Sequence, residues 1–512
     1  MNEQLDNLKK DIFEKVKEYF EVKDNTPSDK IGVAYPCFDH KEVNQALDSL
    51  LDVWISQGPK VKRFEKEYAE YIGTKYGVGC NSGSSANLLA LTALMQNGYL
   101  KPGDEVIVPA ATFTTVISPI LQVGLIPVFV DVEMETYNID PEAIKAAITE
   151  KTKLIMVVHS LGCSAKMKEI VEISEQNNIP ILEDCCEAHG AAIDGKRVGS
   201  FGLISAFSFF VAHNMTTGEG GMVMTSDEDL YNTLRSIREF GRLIKYEKNQ
   251  PRFYYTDEQL NKYDERYVFT NIGYNLRMTD IAASLGIEQL KKLDDFNDSR
   301  VEMAGKYNER LKKYTNFLLL PETPEGFYHS FYGYPIIIKQ NFNFSRQDLV
   351  NFLEQRGIET RAFMGGDLSR QPAYRNTVCK TPNPMPNTEI MLENAFFIGC
   401  HPFISEQQIE TIVSSFEDFF NSINDYRLWT MREKKLPKRL RGRNYYQSIS
   451  KNLRNKRKTN PEFEARLASL NLEEIIALKL ELTAKTVGGK LYGFPIWNTS
   501  TFIIKDALIK FA

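Results

Sequence analysis

Six short apolar runs constrain this chain more than any other feature. They lie at residues 105–109, 127–132, 154–158, 179–182, 206–210 and 222–225. Each has strand length and is rich in β-branched or aromatic residues, and helical segments separate them. Strands buried on both faces read as such continuous runs, and the connecting helices supply the cover. The expectation is an α/β fold around a mostly parallel sheet. Helical periodicity at 43–58 and 64–71 precedes it. A long helical stretch from 279 to about 314 then leads into a smaller α+β region. That region holds a strand at Tyr334–Ile338 and helices at 346–356 and 406–420. No internal repeat is visible.

With 512 residues, 43% of them hydrophobic and 25% charged, the chain has room for two or three domains. Its net charge of -5 favours no class of partner. The first twenty residues carry Leu5, Leu8, Ile12, Val16 and Tyr19 on one helical face between charges. That is an arm rather than a secretory signal. No apolar run approaches the ~20 residues of a membrane span. Seven scattered cysteines fit reduced thiols in the cytoplasm, and no pair has zinc-ligand spacing. Residues 427–458 hold about a dozen Lys and Arg against Glu433, a basic block. The expected division is a helical arm at 1–30, a large domain at 31–290, a small domain at 291–424 and a basic helical tail at 425–512. The tail reads first as a solvated extension, with nucleic-acid binding as the less favoured alternative. It should be dispensable for chemistry.

Several stretches carry chemical character. Residues 81–87, Asn-Ser-Gly-Ser-Ser-Ala-Asn, open a helix, leaving backbone N–H groups free to hold an anion. A plain capped helix start explains them equally well. Phe113 follows the run 105–109, where an aromatic can stack on a flat ring or simply fill a core. Asp184 ends the run 179–182, and ligands gather outside the carboxyl ends of parallel strands. Residues 207–221 read FSFFVAHNMTTGEGG, an apolar strand turning through His213 into a glycine-rich loop. No lysine occurs between Lys196 and Lys245.

This last stretch resembles the cofactor-lysine segment of the DegT/DnrJ/EryC1/StrS sugar aminotransferases, roughly S-F-x-x-x-K followed by G-x-G-G. Ser208, Phe209 and the Gly218-x-Gly220-Gly221 turn match, while His213 stands where the lysine would be. That exchange is similar to the nucleotide-sugar 3-dehydrases, a branch that removes a hydroxyl instead of exchanging an amine. Residues 273–279, GYNLRMT, and 360–372, TRAFMGGDLSRQP, resemble further family segments, and the likeness spans about residues 30–424.

The resemblance implies a pyridoxal phosphate (PLP) enzyme of fold type I, aspartate-aminotransferase-like, forming a homodimer with shared sites. It implies Gly83, Ser84 and Ser85 at the cofactor phosphate, Phe113 over the ring and Asp184 at the pyridine nitrogen. Glu187 and Ser208 would lie beside the cofactor, and Asn275 would reach the neighbour's phosphate. Arg361 and Arg370 are candidate contacts to a substrate pyrophosphate. Without a lysine, PLP and its amine form pyridoxamine phosphate (PMP) would be held non-covalently, and His213 would move protons. The substrate would be a nucleotide-linked 4-keto-6-deoxyhexose, with glutamate as amino donor. One type in this branch carries a cysteine-bound [2Fe–2S] cluster after the helix 234–241. Residues 243–269 contain no cysteine, so no iron–sulfur cluster is expected, and the cluster-free type acting on a GDP-linked sugar is the nearer comparison. An aminotransferase drawing its lysine from elsewhere and a non-catalytic relative are the rival readings.

Overall fold

The computed structural model describes residues 2–23, 30–243, 263–339 and 344–433. By contacts the chain divides into residues 1–410 and 411–512. The first unit is built on a seven-stranded sheet: β1 (Tyr76–Cys80), β2 (Glu105–Pro109), β3 (Ile126–Val130), β4 (Thr152–Val158), β5 (Ile181–Asp184), β6 (Ile204–Ser208) and β7 (Gly221–Thr225). Their order across the sheet is β1-β7-β6-β5-β4-β2-β3. Only β7 runs opposite to the rest, pairing antiparallel with both β1 and β6. The carboxyl ends of β1, β2, β4, β5 and β6 therefore emerge at one edge, where β7 begins.

All six expected runs are strands, shifted by two residues at β5 and β6. The first strand, Tyr76–Cys80, was not anticipated. The single helix expected at 279–314 is two, Asp280–Leu290 and Leu293–Leu311. The helix expected at 43–58 spans His40–Leu51, and the next begins at Pro59, as proline suits a first helical turn.

Alternation along β6 decides what reaches the site. Phe207 and Phe209 enter one layer, with Phe64, Tyr68, Met222 and Ile287. Ala206 points into the opposite layer, against the helix Gly83–Gln96, and Ser208 follows it two residues on. β5 does the same. Glu183 accepts N–H bonds from Gly199, Phe201 and Gly202 on one side, while Asp184 faces the Gly83 helix on the other.

A second, antiparallel sheet has the order β8-β9-β11-β10: β8 (Leu318–Leu319), β9 (Tyr334–Ile338), β10 (Thr360–Ala362) and β11 (Ala395–Ile398). Its connection after β10 returns to the end of β2, where Leu368 donates to the Ala110 carbonyl and Gly365 to that of Thr112. The N-terminal arm is the helix Asn2–Val22, and Lys9 pairs with Asp48 of the helix His40–Leu51 and with Asp52, which caps that helix. All seven cysteines are unpaired. In the second unit, the helix Glu406–Glu433 continues with Ile412, Phe416 and Phe420 buried. The helix runs well past the expected end at 420. The rest of the basic block and the tail lie outside the described residues.

Candidate active site

The strand ends bring the first four motifs together. Ser82 caps the helix Gly83–Gln96, its hydroxyl accepting the Ser85 N–H at 3.1 Å. Gly83 has no room for a side chain: a Cβ there would lie 2.4 Å from Ser208 Cβ and 3.0 Å from Cys186 Sγ. One at Gly221 would lie 2.2 Å from the Ser82 carbonyl oxygen. The helix start is thus drawn tightly onto β6 and β7, with the first-turn N–H groups of Gly83 and Ser84 at the positive end of the helix dipole.

Asp184 is buried and oriented. Its carboxylate accepts from Asn87 Nδ2 at 2.7 Å and from the Cys186 N–H at 3.0 Å. Asn87 sits one helical turn beyond the cradle, so one helix supplies both ends of the site. Glu187 accepts the Leu161 N–H at 2.9 Å. Burial pushes its carboxyl up to about 7, against the lowering effect of that hydrogen bond and with a further push from Asp184. Phe113 caps the helix Thr114–Gln122 and is exposed at the edge.

His213 stands in the turn after β6, its N–H bonded to the Phe210 carbonyl. Its ring lies 6.1 Å from His189, 6.1 Å from Phe210 and 5.4 Å from Tyr332, centroid to centroid. Its Nδ1 is buried without a hydrogen-bond partner. Burial, His189 and Arg300 push the imidazole down to about 3. It is therefore neutral near pH 7 and can accept a proton. The turn is pinned next door, where Asn214 donates to Asn297 Oδ1 at 2.8 Å and to the Ser330 carbonyl at 2.9 Å.

Sequence reasoning missed His189, Asn87 and Tyr332. His189 Nε2 donates to the Ser208 carbonyl at 2.7 Å, so Nδ1 accepts the Tyr68 hydroxyl, also at 2.7 Å. Burial lowers this histidine to about 4, and both bonds fit the neutral ring. The available signals were the short distance from Asp184 to His189 and the asparagine ending the 81–87 motif.

The fifth and sixth motifs are placed differently. Asn275 is exposed, with its backbone bridged to Glu239, and the neighbouring Leu276 carbonyl accepts the Asn81 N–H. It thus lies beside its own chain's cradle strand without facing the His213 cluster. Arg361 pairs with Glu359, and Arg370 with Asp367 at 2.8 Å and with Glu389. Both arginines are exposed, so a pyrophosphate would compete with these carboxylates. His159, Glu183 and Cys185 form the one potential metal-ligand group among the described residues. His159 Nδ1 accepts the Ala165 N–H, so Nε2 donates to Glu183, which already takes three backbone N–H groups. That cluster is a structural latch.

The model of the DegT/DnrJ/EryC1/StrS aminotransferase family matches residues 36–417. The chain belongs to this family. The lipopolysaccharide biosynthesis protein RfbH of Salmonella typhimurium is 39% identical over 393 residues, covering 74% of this chain and 89% of RfbH. The GDP-4-keto-6-deoxy-D-mannose 3-dehydratase of Yersinia pseudotuberculosis is 36% identical, covering 75% of this chain and 98% of its own. Among solved structures, a GDP-4-keto-6-deoxymannose-3-dehydratase with a trapped PLP-glutamate geminal diamine superposes with a TM-score of 0.69. It is 34% identical and covers 75% of this chain and 99% of its own. The fold is that of the PLP-dependent aminotransferases. A small cradle that no Cβ can enter and an oriented carboxylate one helical turn away fit PLP or PMP.

Proposed function

We propose that this family member is a PLP/PMP-dependent nucleotide-sugar 3-dehydratase. It removes the C3 hydroxyl of a nucleotide-linked 4-keto-6-deoxyhexose, giving a 3,6-dideoxy-4-keto sugar for surface polysaccharide biosynthesis. The observation that carries this reading is His213: a neutral imidazole with an unpartnered nitrogen, where an aminotransferase needs a lysine. An imidazole cannot hold the cofactor covalently but can take and return a proton.

When bound, the cofactor supplies an electron sink that lets the C3 hydroxyl leave. Gly83, Ser84 and Ser85 hold its phosphate, Asp184 its pyridine nitrogen and Phe113 one ring face. Glu187 and Ser208 line the same cavity. His213 moves the proton at the cofactor's C4′ carbon in both half-reactions. Glutamate is the amino donor and leaves as 2-oxoglutarate, its nitrogen being released as ammonia. Its two electrons replace the hydroxyl, so no external reductant is needed. Asn275 reaches the partner's phosphate in a homodimer, and Arg361 and Arg370 meet the nucleotide pyrophosphate. Among the described residues no helix is long and apolar enough to cross a membrane. The enzyme works in the cytoplasm, where nucleotide sugars and glutamate are available.

Incubating the purified protein with glutamate, PLP and GDP- or CDP-linked 4-keto-6-deoxyhexose tests this. One 2-oxoglutarate and one ammonia should form per deoxygenated sugar. An amino sugar without ammonia would make the chain an aminotransferase.

A further inference from the structure

His213 has a neighbour that enters from the other sheet. Tyr332 lies two residues before β9, and its ring stands 5.4 Å from that of His213, centroid to centroid. The body of the ring is anchored, 6.0 Å from Phe397 and against the cluster of Ala111, Leu161 and Phe363. Its hydroxyl makes no hydrogen bond among the described residues, and the side chain stays partly open. A tyrosine that packs its ring usually finds its hydroxyl a partner. The charged groups felt by this phenol are Glu187, Arg300 and Arg361, two of them candidate site residues.

The backbone beneath that ring is held from several sides. Phe331 sits in the left-handed region at φ 42°, which a residue with a Cβ rarely adopts. Arg300, 2% exposed on the helix Leu293–Leu311, donates to the Phe331 and Tyr332 carbonyls at 3.1 Å each. The Ser330 and Tyr332 N–H groups donate to the Gly162 and Leu161 carbonyls, both at 2.9 Å. A Cβ at Gly162 would lie 2.7 Å from the Phe331 nitrogen, so the two turns are pressed together. Strained turns persist where their surroundings over-determine them, and they gather at functional sites. None of these contacts uses the Tyr332 hydroxyl. A phenylalanine would satisfy every one, so the hydroxyl is left for something outside the chain.

The proposed reaction has a use for it. While His213 takes a proton at the cofactor's C4′ carbon, the C3 oxygen of the sugar must depart. Four bonds separate that carbon from that oxygen, a span of about 5 Å at most. A group that meets the oxygen therefore stands beside the base. Three rings stand there. His189 has both nitrogens engaged, and Phe210 has no polar atom. We infer that Tyr332 is a catalytic residue of the dehydration, its hydroxyl donating a hydrogen bond to the C3 oxygen of the sugar as the C3–O bond breaks. This rests on the dehydratase reading. The electron pair of the C4′–H bond moves toward C3, and that of the C3–O bond leaves on the oxygen. The oxygen takes the proton held by His213 and departs as water, so Tyr332 keeps its own proton. Burial, with Glu187 adding to it against Arg300 and Arg361, pushes the phenol well above its usual range, which keeps it a donor at pH 7.

The two half-reactions separate this role from packing, because both use His213 and only one breaks the C3–O bond. Tyr332→Phe in the full-length protein keeps the ring and removes no hydrogen bond within the chain. The first readout is conversion of PLP to PMP by glutamate without sugar, followed by absorbance. The second is single-turnover deoxygenation of the GDP- or CDP-linked 4-keto-6-deoxyhexose that the wild type accepts, by PMP-loaded protein. Tyr332→Phe should leave the first within about twofold and slow the second by ~10 to 10², the loss of one hydrogen bond to a departing oxygen, with KM little changed. Equal slowing of both halves would make Tyr332 a packing residue and overturn the inference. Deoxygenation at the wild-type rate would overturn it too, as would a Tyr332→Phe protein that does not fold, since the hydroxyl would then serve the fold. These outcomes leave the dehydratase reading standing. That reading fails, and this inference with it, only if the wild type itself yields an amino sugar in place of a deoxygenated one.

Discussion

Lowering the pH from 6.5 to 4.5 should destabilise this protein unusually steeply, and the structure says by how much. Four of its six histidines are held below the usual imidazole range by burial. Burial holds His189 and His401 down to about 4, and His213 and His329 down to about 3. Their unfolded value is near 6.5, so in this window the unfolded chain binds protons that the folded chain refuses. Stability is complete above pH 6.5 and falls as pH falls towards 3–4. Glu187 works the other way. Its folded value near 7 exceeds the ordinary 4.5, so the folded state binds the extra proton, and stability gains slightly as pH drops through 7. Four protons against one leave a net uptake of about three on unfolding. At about 1.4 kcal/mol per proton per pH unit, the slope is about 4 kcal/mol per unit at most. Paired carboxylates such as Glu406, held below its usual range by Lys306, contribute only at lower pH. Urea midpoints and melting temperatures of the purified protein at pH 7, 6 and 5 measure the effect. The His329→Phe variant should show a shallower slope. A midpoint that stays level or rises from pH 7 to pH 5 would mean that these histidines are protonated in the fold, and the neutral-base reading of His213 would go with it.

His213→Asn should fold and bind PMP but lose dehydration by a factor of ~10² to 10⁴, as expected for a positioned acid–base group; near-native turnover would remove His213 from the mechanism. His213→Lys should hold PLP covalently, so that borohydride and digestion give a pyridoxyl-lysine peptide from the variant and none from the wild type. Gly83→Ala must push its methyl against Ser208 Cβ at 2.4 Å. Overpacking of about 1–3 kcal/mol at the cradle should weaken cofactor binding tenfold or more, measured by absorbance titration; unchanged affinity would show that the phosphate is held elsewhere.

The parallel sheet was legible because strands buried on both faces leave unbroken apolar runs. β1 was not, because its sequence, YGVGC, has two glycines where a strand usually has branched side chains. The structure explains them. A Cβ at Gly77 would lie 2.8 Å from the Glu65 carbonyl oxygen, and the Gly79 N–H donates to the Glu65 side chain. The helix Pro59–Ile72 packs so closely on β1 that only glycine fits at position 77, a demand set by a neighbour and invisible in local propensity. The break between the helices at 280–290 and 293–311 also eluded periodicity. Lys291 and Lys292 carry no helix-breaking signal, and Lys292 is drawn aside to Asp39 and Glu42.

The site divides along the same line. Gly83, Asp184 and His213 could be read because each sits at a strand or helix end in a spacing that survives in one dimension. What His213 can do could not. A histidine in a matched motif is compatible with either protonation state, and the choice falls to groups far away in sequence. The Ser208 carbonyl fixes the tautomer of His189, and Tyr68 holds its other nitrogen from 121 residues away. Asn297 grips Asn214 and Arg300 the Phe331–Tyr332 turn, both from a helix that no motif marks. The identity of the base is written at position 213. Its neutrality comes first from burial, which distant segments of the chain provide, and the same burial would favour the neutral amine of a lysine placed there.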